Sequence, residues 1–238
     1  MRELGVVRAE GAGVEAAPLP GCGRGDDPPV RGALREGRPL IAGAAALALP
    51  LALVDRRLAW PPLLLAGAIA AFFRDPRRVT PHDPGCVYAA ADGFVLTVDE
   101  VAEDWFIGGP TLRIVTFLSL FDVHVNRSPV AGVLRGTRYS RGRFAPAMSR
   151  AGSEENERQA LAIAGERGPL VVVQVAGLVA RRIVRWVEPD APLRAGQKLG
   201  MIKFGSRTDV LLPLGEARAL VKGGDRVRAG ITPIARYE

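Results

Sequence analysis

The distribution of apolar and polar residues divides the chain into three parts. Residues 1–35 are rich in Gly, Ala, Pro and Arg without a hydrophobic period, which predicts a disordered tail or a start codon assigned too far upstream. Residues 36–78 carry two almost purely apolar runs. Residues 79–238 consist of short β-type runs separated by Gly, Pro and Asp. We therefore expect a tail, an apolar helical segment and a β-rich domain.

The two apolar runs cover residues 40–54 and 58–73. Each is roughly 15 residues long, fewer than the about 20 that a straight helix needs to cross a bilayer. They could form two buried core helices, a hairpin of short or tilted spans, or an anchor lying in one leaflet. We favour membrane attachment, because such uniform Ala and Leu runs lack the polar face of a surface helix. The flanking arginines predict the cytoplasmic face of the cell membrane.

Runs of β-branched and apolar residues alternate with turn residues along the third part. This spacing predicts a mainly β barrel or sandwich, with strands in residues 93–98, 111–117, 170–175 and 183–187. Residues 165–168, Gly-Glu-Arg-Gly, read as a hairpin loop between two strands. A weak echo between residues 192–200 and 221–230 suggests a distant likeness to biotinyl/lipoyl-type domains, but no lysine stands at a hairpin tip to act as a carrier.

The net positive charge of the chain limits the classes of possible binding partners only in part. A net charge of +7 suits nucleic acid, an anionic membrane surface or a plain solvated surface. Nucleic acid is not expected as a partner, because aromatic residues make up 6% of the chain and no helix-turn-helix, zinc or RNP pattern is present. The two cysteines, Cys22 and Cys86, have no paired spacing, so neither a disulfide nor a metal site is expected.

The candidate chemistry lies at the Gly205-Ser206 bond. A Gly-Ser pair alone is usually a turn, but a serine hydroxyl can attack its own preceding carbonyl if a base takes its proton. Gly205 has no Cβ, so its carbonyl is open to attack. His124 is the natural base, whereas His82 lies in a loop and receives no role. Either Asp92 or Asp122 could orient the imidazole, and both remain open at this point.

Six segments together resemble the short type of the phosphatidylserine decarboxylase family. They occur in the family's order within a likeness that runs from about residue 36 to residue 238, and they cover residues 72–78, 91–93, 117–129, 153–158, 174–183 and 200–213.

The resemblance implies that the proenzyme cleaves itself between Gly205 and Ser206. The products would be a β chain, 1–205, and an α chain, 206–238, which stay associated as a heterodimer. Ser206 would become a covalent pyruvoyl group, the cofactor that decarboxylates phosphatidylserine to phosphatidylethanolamine. His124 would be the base in maturation, and Asp92 the acid that orients it.

The chain departs from longer family members at Arg127, which stands where they carry a second histidine. Arg127 could therefore take over an electrostatic role. Arg74, Arg77 and Arg78 adjoin the apolar segment, and these three residues and Arg127 are candidates for contact with the substrate or with anionic membrane lipid. Two alternatives to the main hypothesis are a decarboxylase of a related phosphoserine ether lipid and a membrane-anchored β-barrel binding module that has lost processing.

Overall fold

The computed structural model of the chain describes residues 32–142, 156–177, 182–203 and 206–238. It has a helical layer followed by a mainly β domain, whose largest sheet curls into a half-barrel. The prediction of a mainly β protein preceded by an apolar helical segment is therefore confirmed. The likeness to biotinyl/lipoyl-type domains and the segment boundaries at residues 35, 78 and 205 stay predictions.

The helical layer is longer than the apolar pattern indicated. It comprises α1 (Ala33–Ala46), α2 (Ala48–Val54), a 3-10 turn (Arg56–Ala59) and α3 (Trp60–Phe72). Residues 33–54 form a nearly continuous helix of 22 residues with a mean hydropathy of 1.7, which by length and composition could cross a membrane. The expectation that the first run is too short to span was wrong, because the helix begins several residues before that run.

The apolar surface of this layer faces outward. Nineteen large apolar side chains are exposed in the described part of the chain, and twelve of them lie between Leu34 and Leu65. Helices of a soluble core would bury these side chains, so the alternative of two buried core helices is wrong. The exposed apolar surface instead supports attachment to a membrane.

A small apolar cluster joins the helices to the β domain. Gly37 allows α1 to approach the ring of Phe73, because a Cβ at Gly37 would lie 2.5 Å from that ring. An ion pair of 3.3 Å between Glu36 and Lys203 adds a second connection. The buried members of the cluster come from both layers and are Ala33, Phe72, Phe73, Val123, Val125 and Met201.

The β domain contains fourteen strands within the described residues. In chain order they are β1 (Cys86–Tyr88), β2 (Gly93–Glu103), β3 (Gly109–Leu118), β4 (Val125–Arg127), β5 (Gly132–Ser140), β6 (Arg158–Gly165), β7 (Gly168–Ala176), β8 (Ile183–Arg185), β9 (Pro192–Leu193), β10 (Lys198–Ile202), β11 (Ser206–Pro213), β12 (Ala217–Ala219), β13 (Arg226–Val227) and β14 (Pro233–Tyr237).

The strands form three antiparallel sheets. The largest has the order β13-β2-β3-β11-β7-β6-β5-β9, and the smaller ones have the orders β1-β14-β12 and β4-β10-β8. The four predicted runs coincide with β2, β3, β7 and β8, and the predicted hairpin is present, since Gly165 pairs with Gly168 at its end. The main core packs between the sheets and includes Val210 and Leu212 of β11.

Gly93 permits the close approach of β2 and β3 beside the end of β3. Its φ is +147°, and a Cβ there would lie 1.8 Å from the main-chain oxygen of Phe117. No side chain fits this space, so the sheet requires glycine at this position.

We expect Gly93→Ala to destabilise the fold by more than about 3 kcal/mol, because both backbone strain and a clash with backbone oppose it. The matched control is Gly108→Ala in the same β2–β3 hairpin, where φ is +78° but no atom lies within 4 Å of the added Cβ. That control should cost about 1 to 2 kcal/mol. Denaturant unfolding in detergent solution, followed by circular dichroism, measures both losses, and equal losses would contradict the steric argument.

Candidate active site

Ser206 is the first residue of β11, a central strand of the largest sheet. It pairs with Leu118 of β3 on one side and with Ala176 of β7 on the other. The side chain has no exposed surface, and all eight residues of β11 are buried. Although a Gly-Ser pair alone is usually a turn, Ser206 is the buried first residue of a core strand.

Side chains alternate between the two faces of β11. Ser206 and Thr208 share one face with the core residues that follow them. Arg207 and Asp209 share the other face, where the Arg207 Nε and a terminal nitrogen each lie 2.6 Å from an Asp209 oxygen. This buried, bidentate pair lets a strand with two charged residues enter the sheet, because each charge is neutralised by its neighbour.

The hydroxyl of Ser206 is buried without a hydrogen bond to any described residue. Within the described part of the chain its Oγ has no hydrogen-bond partner, although it is buried. A buried hydroxyl without a partner costs free energy, so such groups are uncommon unless they have another role. Gly205, the other half of the predicted cleavage site, lies outside the described residues.

Strand β4 and the residue before it contact the chain on both sides of this serine. The main-chain N–H of Ile202, four residues before Ser206, donates to the main-chain oxygen of His124 over 3.3 Å. Two residues after Ser206, the Thr208 Oγ1 accepts a hydrogen bond of 2.9 Å from the Asn126 side chain. His124 and Asn126 are two residues apart, so the segment that carries the predicted base brackets the predicted cleavage point.

Asn126 is a structural residue of the site to which the sequence analysis assigned no role. Its amide oxygen accepts a hydrogen bond of 2.7 Å from Gln174, which lies opposite Thr208 on β7. The three side chains form a buried polar chain across β4, β11 and β7. A signal was available, because Gln174 interrupts the apolar run Leu170–Val175 that otherwise reads as a buried strand.

His124 is fully buried, and its orientation is defined by a main-chain group. Its Nδ1 lies 3.0 Å from the carbonyl oxygen of Asp122. A carbonyl can only accept, so Nδ1 carries the proton and the neutral ring keeps its lone pair on Nε2. The ring of Phe72, from the end of α3, packs on the imidazole with centroids 4.3 Å apart. Burial lowers the pKa of His124 to about 4, against opposing effects from Asp122 and Asp92.

The two candidate acids occupy different environments. The Asp122 side chain accepts hydrogen bonds from the main-chain N–H and hydroxyl of Ser119, at 2.9 and 2.6 Å, and pairs with Arg226 at 3.0 Å. The carboxylate of Asp122 thus closes the turn after β3, while its carbonyl contacts His124. The contact of the Asp122 carbonyl with His124 could not be predicted from the sequence, because residue type gives no information on main-chain contacts.

Asp92 is held by Arg78 from the segment that follows α3. The two guanidinium nitrogens lie 2.5 and 2.6 Å from the two carboxylate oxygens, and the main-chain N–H of Ala229 donates to Asp92 over 2.8 Å. Of the two carboxylates that raise the pKa of His124, Asp92 has the smaller effect. Arg78, which we predicted to contact substrate or membrane, therefore binds the predicted orienting acid.

Arg127 is buried rather than open to solvent. Its guanidinium donates to the main-chain oxygens of Gly196, at 2.9 Å, and Pro76, at 3.1 Å, and lies 3.5 Å from Asp75. Lys198 also pairs with Asp75, at 2.7 Å. These contacts attach the segment after α3 to β4 and β10. The electrostatic and lipid-binding roles suggested for Arg127 stay predictions.

Arg74 and Arg77 lie with Arg78 around an open pocket at the surface. Arg74 donates to the main-chain oxygens of Ala71 and Phe121. The pocket has a volume of about 580 Å³, and Asp92 contributes to its wall. The three predicted arginines are thus brought together at one place beside the candidate acid.

Comparison with known proteins identifies the family to which the sequence is similar. The sequence profile of the family described as phosphatidylserine decarboxylase matches residues 65–235. A phosphatidylserine decarboxylase proenzyme of Carboxydothermus hydrogenoformans is 44% identical over 204 residues, which cover 86% of this chain and 96% of that protein. A proenzyme of Symbiobacterium thermophilum is 45% identical over 203 residues, covering 85% and 94% of the two chains. A proenzyme of Desulfotalea psychrophila is 42% identical over 200 residues, covering 83% and 93%.

The relatives are all named as proenzymes of a decarboxylase, which favours an enzyme over a binding module without catalysis. The match extends over the β domain and the end of the helical layer, and so includes Asp92, His124 and Ser206. The chain belongs to the phosphatidylserine decarboxylase family.

Proposed function

We propose that this chain cleaves itself between Gly205 and Ser206, converts residue 206 to a pyruvoyl group and then decarboxylates phosphatidylserine to phosphatidylethanolamine. The observation that carries the proposal is the buried Ser206 hydroxyl, without a partner in the described part of the chain, at a point bracketed by contacts to β4. His124 and Asn126 supply these contacts and lie on the same short segment.

Self-cleavage begins with attack of the Ser206 Oγ on the carbonyl carbon of Gly205. The new C–O bond replaces the C–N bond, so an ester forms and the amine of residue 206 is freed. Loss of the Cα proton then breaks the Cβ–O bond and releases the carboxylate of Gly205. The dehydroalanine left at residue 206 takes up water and releases ammonia to give the pyruvoyl group. Water is the only co-reactant.

His124 is the base that takes the Ser206 proton in this proposal. Its Nδ1–H donates to the carbonyl of Asp122, so the lone pair of the neutral ring that accepts the proton is on Nε2. With a pKa of about 4 the ring is neutral at physiological pH. A neutral imidazole in a dry site is suited to proton abstraction, because no prior deprotonation is required.

Two aspartates, Asp122 and Asp92, assist His124 in this proposal. The Asp122 carbonyl orients the ring, while the charges of Asp122 and Asp92 favour its protonated form during the reaction. Asp92 remains the acid that the family resemblance implies. Arg78 positions it, since the bidentate contact and the N–H of Ala229 leave the carboxylate little freedom to rotate.

The site around residue 206 fits a pyruvoyl group. The group would occupy the buried position of the Ser206 side chain, where the Oγ has no partner among the described residues. When present, it serves as the electron sink for the electrons released with CO₂. Residue 206 is fully buried, so the protein excludes water from this position, and in this proposal His124 transfers the proton there.

The two chains remain associated after cleavage because they share sheets. Chain 206–238 contributes β11, β12, β13 and β14. β11 pairs with β3 and β7, β13 with β2, and β14 with β1, and all these partners belong to chain 1–205. The cut therefore removes one covalent bond but leaves the strand pairing intact.

The mature enzyme attaches to the membrane through α1, α2 and α3 in this proposal. Their exposed apolar side chains support attachment, and the arginines that follow α3 support a location at the anionic cytoplasmic face. Such attachment brings the enzyme to its lipid substrate.

Ser206→Ala should abolish cleavage, because the attacking hydroxyl is lost. Intact mass measurement should find one chain of 238 residues, whereas the parent protein should give two chains separated at 205/206. Ser128→Ala is the matched control, since Ser128 is also fully buried but its hydroxyl donates to the carbonyl of Val130. A cleaved pair from Ser206→Ala would contradict the proposal.

His124→Gln should slow cleavage by about 10²-fold or more, because general base catalysis is removed while the side chain keeps a polar end. His82→Gln is the control, since His82 is the other histidine of the chain and lies in an exposed loop. Gel analysis of precursor and product at timed intervals after refolding measures both rates. Equal rates in the two variants would assign the base elsewhere.

The rate of self-cleavage should stay high as the pH falls to about 5 and should drop only near pH 4. The base works in its neutral form, and the pKa of His124 is lowered to about 4 by burial. Phe72→Ala should move the drop to higher pH, because solvent would reach the imidazole. Refolded precursor, shown to be folded by circular dichroism at each pH, is assayed for cleavage. A drop near pH 6.5, the ordinary pKa of histidine, would contradict the buried base.

A further inference from the structure

The surface pocket beside Asp92 is strongly cationic. Two distant segments supply its positive charges, namely the stretch after α3 and the stretch around β13. The lining includes five arginines and two aspartates, which leaves an excess of three positive charges around about 580 Å³. These charged residues are Arg74, Arg77, Arg78, Arg226, Arg228, Asp92 and Asp122.

Three of these guanidiniums already have partners in the protein. Arg78 binds Asp92, Arg226 pairs with Asp122, and Arg74 donates to main-chain oxygens. Arg77 and Arg228 are exposed, and their side chains make no hydrogen bond or ion pair within the described part of the chain. Two cations at the pocket are therefore available to an anion from outside.

An apolar rim borders the cationic pocket. Phe121 lines it with 86% of its surface exposed, and the neighbouring Leu120 is 51% exposed. Val79 is a further lining residue, with 89% of its surface exposed. The hydrogen bond from Arg74 to the main-chain oxygen of Phe121 connects this rim to the segment that follows α3.

Apolar side chains next to unpaired arginines match the chemistry of a membrane surface. Phosphate groups of anionic lipids attract guanidinium groups, and exposed aromatic side chains insert between the adjoining acyl chains. A soluble anion would account for the arginines but not for Phe121 and Leu120. The helical layer also exposes apolar side chains, at Trp60 and residues 63–65 of α3, which further favours a membrane lipid as the occupant.

We propose that the pocket binds the phosphate group of an anionic membrane phospholipid, with Arg77 and Arg228 as its ligands and Phe121 inserted among the acyl chains. The bound head group would orient the wall formed by Asp92 and Asp122 toward the bilayer. This inference rests on the membrane attachment proposed above but does not depend on cleavage at Ser206.

The test measures lipid binding by the full chain in detergent micelles. Dioctanoyl phosphatidylglycerol is titrated by calorimetry, with dioctanoyl phosphatidylcholine and inorganic phosphate as comparison ligands. We expect saturable binding of the phosphatidylglycerol, and at least tenfold weaker binding of the other two. Absence of saturable phosphatidylglycerol binding would overturn the proposal. Equal binding of inorganic phosphate would also overturn it and indicate a site for a soluble anion.

Variants distinguish the pocket from the general basic surface. Arg77→Gln and Arg228→Gln should each weaken binding about fivefold. Arg218→Gln is the matched control, because Arg218 is also exposed and makes no ion pair in the described residues, yet lies on β12 outside the pocket. Phe121→Ser should weaken binding of the lipid without changing that of inorganic phosphate. Equal effects of all three arginine variants would contradict a defined site.

The uncleaved Ser206→Ala chain separates this inference from the proposed function. It should bind phosphatidylglycerol as tightly as the parent protein, because the pocket lies outside the cleavage site. If the parent protein is cleaved and decarboxylates phosphatidylserine but binds no phosphatidylglycerol, only the pocket assignment fails. If lipid binding persists while the parent chain is never cleaved, the proposed function fails instead.

Discussion

The pairing of β11 between β3 and β7 is the constraint on which the candidate site depends. It fixes the position of Ser206 through eight paired residues on one side and six on the other. A slip of one residue would exchange the faces of Ser206 and Arg207, and would place a guanidinium where the core packs. If the bond to Gly205 is cut as proposed, the same pairing would hold residues 206–238 in the sheet. Reactivity and assembly of the enzyme thus depend on one strand register.

The helical layer affects the candidate site by burying the imidazole of His124. Phe72, at the end of α3, packs on the imidazole of His124, and the adjacent apolar cluster excludes water from that side. This burial is the main cause of the low pKa of His124, so the same helix that presents an apolar surface to the outside also keeps this imidazole neutral. The ion pair between Glu36 and Lys203 extends the connection to the chain just before the cleavage point. The proposed membrane attachment and the proposed maturation would therefore depend on the same helices.

Much of the fold and of the site could be predicted from local patterns. The runs in β2, β3 and β7 are rich in β-branched residues, and their turns contain glycine, so their positions follow from short-range preferences. The start of α1 could not be predicted in this way. Charged residues such as Glu36 interrupt the apolar pattern there, and one of these charges is compensated by Lys203, which is distant in the chain. The exposure of the helices could not be predicted from local patterns either, because it depends on whether another layer covers them. Among the described residues, no layer does.

The amino-acid sequence by itself determined the mainly β class, the apolar helical segment and the identity of Ser206, His124 and Asp92 as candidates, because these depend on residue type and order. Only the tertiary structure decided which groups touch them. The carbonyl of Asp122 binds His124, Arg78 binds Asp92, and Arg127 binds main-chain oxygens and lies close to Asp75. Such contacts join main-chain atoms or residues far apart in the chain, and hydrogen bonding acts through space, so residue order alone does not specify them.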